Sequence, residues 1–220
     1  AKVTLANNGA TDSECRLSIQ IHEDASKIAR GKAAQSMALA AGERRTVILE
    51  IPIDSMRVWS PEDPFLYQIT ASTGGDRIQT RFGMRSFGFD RKNGCALLNG
   101  KPRYLRGTNI TINRFYEDDA CEELPWNREW VRRLHLKFKG LQMDAMRYCI
   151  GFPPDFWYDI ADETGFLIQD EFPIWYDGQE AVEKANLQPD ILVEQYTAWI
   201  HERANHPCVV IWDAQNETVT

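Results

Sequence analysis

The residues best placed to do chemistry stand at the ends of short apolar runs. Val209, Val210, Ile211 and Trp212 form an unbroken apolar stretch, and Asp213, Ala214 and Gln215 lead from it to Asn216 and Glu217. Such a run reads as a strand buried on both faces, the kind found in parallel sheets. A carboxylic acid at the C-terminal end of a barrel strand is set to exchange a proton with a ligand lying across the barrel mouth. Two more acids, Asp170 and Glu171, close the run that begins at Phe166. Arg147 sits near the end of the segment 144–150, and Asn109 closes the segment 103–109. If these four runs are neighbouring strands, a proton donor, two amides, a guanidinium and further carboxylates gather around one mouth. Each residue alone has a plainer reading. An acid at a strand end is most often a helix cap or a solvated loop charge, and Arg147 could be a buried counter-ion for Asp170. Acidic ends recurring on consecutive strands favour a site.

The elements that must position these groups fall into two stretches, with a change of character near residue 90. Before it, β-rich segments alternate with turn signals. Segments 3–5, 16–21, 45–51, 67–72 and 76–82 read as half-buried strands, with Leu17, Ile19 and Ile21 alternating onto one face. Gly74-Gly75-Asp76 reads as a hairpin turn. The pattern fits an immunoglobulin-like β-sandwich over residues 1–90. Over residues 91–220 strand and helix alternate. Asn127 can cap a helix with Trp130, Val131, Leu134 and Phe138 at helical spacing. A second helix from Pro154 ends at Gly165, and a third from Asp190 carries a stripe of Leu192, Tyr196, Trp199 and Ile200 before His206-Pro207 stops it. Alternating strands and helices mean βαβ units and a parallel sheet. Right-handed crossovers would curl four of them into the N-terminal half of a TIM (β/α)8 barrel.

Composition narrows the partners. The 220 residues are 43% hydrophobic and 26% charged, enough for a real core, and the net charge of −7 argues against a nucleic-acid surface. No stretch approaches the ~18 apolar residues of a membrane-spanning helix. Five widely scattered cysteines contain no CxxC pair, and four histidines form no metal-binding pattern. No cofactor fingerprint, phosphate loop or serine elbow occurs, so neither a metal nor a cofactor is expected. Aromatic residues concentrate in the second half, among them Trp175 and Trp212. Aromatic faces suit the C–H faces of sugar rings, although most such rings fill cores. These features fit a neutral or small polar partner, and such rings would suit the faces of a sugar.

Four segments together resemble glycoside hydrolase family two, which holds β-galactosidases, β-glucuronidases and β-mannosidases. Residues 59–67 look like the end of the family's immunoglobulin-like domain, and residues 82–87 with 98–109 resemble its junction into the barrel. Residues 145–171 resemble its second and third barrel strands, and residues 205–217 its acid/base signature. The resemblance implies retaining hydrolysis of a β-glycosidic bond, in which one carboxylic acid protonates the leaving oxygen. A second carboxylate, roughly 5–5.5 Å away, attacks the anomeric carbon. Glu217 matches the acid/base, Asn216 the residue that commonly hydrogen-bonds the sugar 2-hydroxyl, and Arg147 a residue supporting the base of the sugar site. Asn109, Asp170 and Trp212 join them as substrate-binding candidates.

The family's nucleophile sits on a later strand, and no residue here matches it. Only residues 218–220 follow Glu217, so the chain reads as a fragment, inactive by itself and prone to self-association through open strand edges. Ile110-Thr111-Ile112-Asn113-Arg114 and Ile150 stand where many members place histidines, which marks a divergent subgroup. Two other readings compete: a non-catalytic carbohydrate-binding or scaffold relative, and a β-sandwich module fused to an unrelated α/β domain.

Overall fold

The computed structural model describes residues 1–176 and 186–217. Residues 218–220, the tail after Glu217, lie outside them. The chain divides into two compact units, one of Ala1–Arg57 with Leu66–Phe82, the other of Val58–Phe65 with Gly83 onward.

The first unit is a β-sandwich. Strands β1 (Lys2–Ala6) and β4 (Arg44–Ile48) form one antiparallel pair. Strands β2 (Ser13–Glu23), β3 (Ala29–Leu39), β5 (Tyr67–Ser72) and β6 (Arg77–Phe82) form an antiparallel sheet in the order β3-β2-β5-β6. Leu17, Ile19 and Ile21 do alternate into the interior, where Leu17 and Ile19 cluster with Leu5, Leu39, Val47 and Ala71 from both sheets. The hairpin at Gly74 joins β5 to β6, with Gly74 at a positive φ of 85°. Strand β3 carries no sequence signal. Its residues, rich in Ala, Lys, Arg and Gln, are weak β-formers, and it forms because it pairs along nearly the whole of β2.

The second unit begins with a three-stranded antiparallel ladder, β7 (Phe87–Asp90), β8 (Cys95–Leu98) and β9 (Lys101–Arg103). Four parallel strands follow in sequence order: β10 (Gly107–Ile110), β11 (Ala145–Tyr148), β12 (Leu167–Glu171) and β13 (Val209–Asp213). Helices α1 (Arg128–Gly140), α2 (Phe156–Thr164) and α3 (Pro189–Arg203) alternate with them. This is the alternation of a partial (β/α)8 barrel. Asn127 caps α1, its side chain accepting from the Trp130 N–H at 3.0 Å, and Gly165 ends α2 at a φ of 72°.

Several boundaries differ from the expectation. Arg103 belongs to the β9 ladder, where it ion-pairs with Glu62 and Asp144, and the first parallel strand starts at Gly107. Residues 58–65 pack with the second unit. Trp59 is fully buried there, its indole N–H donating to the Asp162 carbonyl at 2.9 Å and its own carbonyl accepting from the Asn99 side chain. The chain accordingly passes between the two units after Arg57, after Phe65 and after Phe82. On α3 Trp199 is buried, but Ile200 is 42% exposed.

Candidate active site

Period-two alternation sorts the strand residues onto two faces, and inter-strand pairing decides which residues share one. Asn109 on β10 lies opposite Arg147 on β11, which lies opposite Gln169 on β12, which lies opposite Ile211 on β13. One layer further along, Glu171 lies opposite Asp213. These side chains share the inner face, where Asn109, Arg147, Gln169 and Ile211 line part of a cavity of about 190 Å³.

Arg147 is the hub. One of its terminal nitrogens donates both to Glu171 Oε2 and, at 2.8 Å, to Asn216 Oδ1. Its Nε lies 3.4 Å from Asp213 Oδ2, an ion pair without hydrogen-bond alignment. Gln169 Nε2 donates to the same Asp213 oxygen at 2.7 Å. Glu171 is fully buried, and its Oε1 accepts from the Ile150 backbone N–H at 2.6 Å. Burial pushes the Glu171 carboxyl above its ordinary range, with Asp213 adding to the rise, while the Ile150 N–H and Arg147 pull it back. Ile150 has a φ of 54°, a left-handed conformation that costs a β-branched residue on the order of 1–3 kcal/mol.

The structure therefore brings Asn109, Arg147 and Asn216 onto one face. Asn216 is 7% exposed and is anchored by its own N–H to the Ile174 carbonyl at 2.9 Å. Glu217 follows it directly, exposed and at a φ of 47°. Asp170 and Trp212 do not join this group. They lie opposite one another on the helix-covered face. Asp170 is fully buried, accepting from the Tyr158 hydroxyl at 2.6 Å and the Trp199 indole N–H at 2.7 Å. Burial raises its carboxyl despite those two bonds. The Trp212 ring meets Trp199 edge-on at 4.9 Å, so it packs against α3. The sequence makes both substrate-binding candidates, and their pairing register places them on the face opposite the one that carries Arg147 and Asn109.

Sequence reasoning missed Gln169, Asp213 and the Ile150 amide, and it chose Asp170 over its neighbour Glu171. The available signal was parity. Gln169 and Glu171 must share a face, and only one of the two faces could hold the Arg147 partners.

A second polar cluster lies below the sheet. Asp162, His206 and Cys208 each bring a potential ligand atom within 4.8 Å of the others. Both Asp162 oxygens are already engaged, Oδ2 with His206 Nδ1 at 2.6 Å and Oδ1 with the Cys208 N–H at 3.0 Å. Burial drives the Cys208 thiol well above its ordinary value, which disfavours the thiolate a metal needs. Arg85 donates to the carbonyls of Pro207 and Val209. The cluster pins the start of β13, the strand that leads to Asn216.

A β-sandwich joined to strands and helices of a (β/α)8 barrel, with an amide–acid pair beyond the fourth parallel strand, defines the class of this chain. A family model described as "Glycosyl hydrolases family 2" matches residues 1–85, and one described as "Glycosyl hydrolases family 2, TIM barrel domain" matches residues 90–220. The chain belongs to glycosyl hydrolases family 2. A β-galactosidase of Priestia megaterium is 30% identical over 197 residues, covering 82% of this chain and 18% of that protein. A β-galactosidase of Oenococcus oeni is 28% identical over 181 residues, covering 78% of this chain and 17% of its own length. Among solved structures, a β-galacturonidase from Eisenbergiella tayi bound to galacturonate matches with a TM-score of 0.80 at 23% identity, over 98% of this chain and 37% of that one. That likeness is one of fold. The chain spans about a sixth of the length of these curated relatives.

Proposed function

We propose that this chain carries the proton-donor side of the active site of a retaining β-glycosidase. Glu217 is the general acid/base, Asn216 binds the sugar 2-hydroxyl, and Arg147 and Asn109 support the floor of the sugar site. The observation that carries the reading is the 2.8 Å bond from Arg147 to Asn216 Oδ1. It ties the residue before Glu217 to the inner face of the parallel sheet, at the strands' C-terminal ends, where (β/α)8 enzymes bind substrate. The exposure of Glu217 suits an acid that must reach a leaving-group oxygen. The relatives' names, β-galactosidase among them, support a glycoside as substrate. The resemblance puts the nucleophile on a later barrel strand. The 220-residue chain by itself should therefore turn over nothing, and a longer protein that includes it should be active.

The test is Glu217→Gln in that longer protein, assayed on two aryl β-glycosides. With a poor leaving group, kcat/KM should fall about 10²–10⁴-fold, the usual worth of general acid–base catalysis. With dinitrophenol, which leaves without protonation, the first chemical step should survive largely intact. Equal activity of the variant and wild type on the poor leaving group would remove Glu217 from the role. Robust turnover by the 220-residue chain would refute the assignment of the nucleophile to another segment.

A further inference from the structure

We propose that Glu171 is a positioning residue that acts through Arg147 to fix the direction of the Asn216 side-chain amide. The inference rests on the reading of Asn216 as a sugar-binding residue.

Glu171 is the last residue of β12 and has no exposed surface. Its two carboxylate oxygens are held from different directions. Oε2 accepts from Arg147 Nη2, and Oε1 accepts from the Ile150 N–H at 2.6 Å. A carboxylate bound at both oxygens cannot swing, so the guanidinium it holds has a set position. The same Arg147 nitrogen donates to Asn216 Oδ1 at 2.8 Å. An amide whose oxygen is turned toward a guanidinium directs its NH₂ to the other side. Glu171 thereby sets, through Arg147, which edge of the Asn216 amide faces the guanidinium.

Two further observations support the assignment. Ile150, β-branched and at a φ of 54°, precedes Gly151 at a φ of 137°. Strain of this kind persists only where the surroundings over-determine it, and what this turn delivers is the N–H to Glu171. The charge balance also requires Glu171. Arg147 faces two carboxylates, Glu171 and Asp213, the latter 3.4 Å from Nε. With the charge on Glu171 removed, Asp213 is left as the dominant anion, and the guanidinium turns toward it and away from Asn216.

Nuclear magnetic resonance of the 220-residue chain tests the positioning without any need for turnover. In Glu171→Gln the Asn216 side-chain NH₂ resonances should shift, and the Arg147 guanidinium protons should exchange at least about tenfold faster with water. Ile150→Gly keeps the N–H and relieves the strained φ, so both signals should stay as in wild type. Should Glu171→Gln fail to fold by circular dichroism, Glu171→Asp supplies the same readout, since it keeps the charge but withdraws the oxygens by one methylene. Unchanged Asn216 resonances in the folded Glu171 variants overturn the proposal.

Kinetics on the longer protein give the second arm, with an aryl β-glycoside and its 2-deoxy counterpart. Misdirecting Asn216 should lower kcat about ten- to a hundredfold on the 2-hydroxy substrate, with little change in KM and a much smaller loss on the 2-deoxy substrate. Equal losses on both overturn the proposal and leave Glu171 merely structural. Absence of turnover by the wild-type longer protein on every aryl glycoside would sink the glycosidase reading instead, and the resonance data would still decide the positioning.

Discussion

His135 should make the stability of this chain sensitive to acid. It lies on α1 with no exposed surface, its ring edge-on to Phe166 at 5.0 Å and to Trp157 at 5.8 Å. Nδ1 lies 2.8 Å from the Val131 carbonyl, so in the neutral ring that nitrogen carries the proton and donates. Among the described residues Nε2 meets no hydrogen-bond partner. Protonating it would bury a charge in an aromatic pocket. Burial, reinforced by the nearby Arg132 and opposed by the Val131 carbonyl, pushes the imidazole down from 6.5 to about 4.

Well above pH 6.5 the imidazole is neutral in folded and unfolded chains alike, and it adds no pH dependence. Below that, the unfolded chain takes up a proton that the folded chain refuses until about pH 4, so stability falls as pH drops through this window. The full loss is on the order of 3 kcal/mol, from about 1.4 kcal/mol per pH unit, and most of it is present at pH 4.5. Urea denaturation of wild type and His135→Leu at pH 7.5 and pH 4.5 isolates the contribution, because the carboxylates titrate in both proteins and cancel in the difference. Wild type should lose roughly 2–3 kcal/mol more than the variant between the two conditions. Equal losses, or a His135 resonance titrating near pH 6.5 in the folded chain, would refute the reasoning.

Two further substitutions test the sheet. Asp170→Ala leaves the Tyr158 hydroxyl and the Trp199 indole N–H buried without their acceptor. It should cost about 3 kcal/mol in urea denaturation while the Asn216 side-chain resonances stay in place, and a loss under about 1 kcal/mol contradicts the structural role of Asp170. Gly107→Ala sets a Cβ 2.0 Å from the Ala145 carbonyl oxygen on the paired strand. Because that neighbour is backbone, the variant should lose about 2–3 kcal/mol, and a thermal midpoint equal to wild type's would show that β10 and β11 do not approach as described.

Much of the scaffold was legible because its signals are local. The Asn127 cap, the Gly165 stop and the alternation of Leu17, Ile19 and Ile21 each depend on a few adjacent residues, and each appears where its pattern stands. Strand β3 was not legible, since its partner along β2 rather than its own composition makes it a strand. The burial of His135 is not legible in its own helix. Its burial depends on Trp157 and Phe166, which come from elements further along the chain.

The sequence by itself determined that acids, amides and an arginine stand at the ends of consecutive strands, and that within each strand alternate residues share a face. Which faces coincide was decided by tertiary pairing. Between β12 and β13 the register shifts, with Ile168 opposite Val209 but Gln169 opposite Ile211, so Val210 is an extra residue in the ladder. Without that bulge Glu171 would lie opposite Trp212. With it, Asp213 comes to the inner face beside Arg147, and Trp212 turns to the helices with Asp170. A slip of one residue reverses every side chain beyond it, and the backbone pairing that sets the slip joins segments about forty residues apart. No local pattern in either segment encodes it.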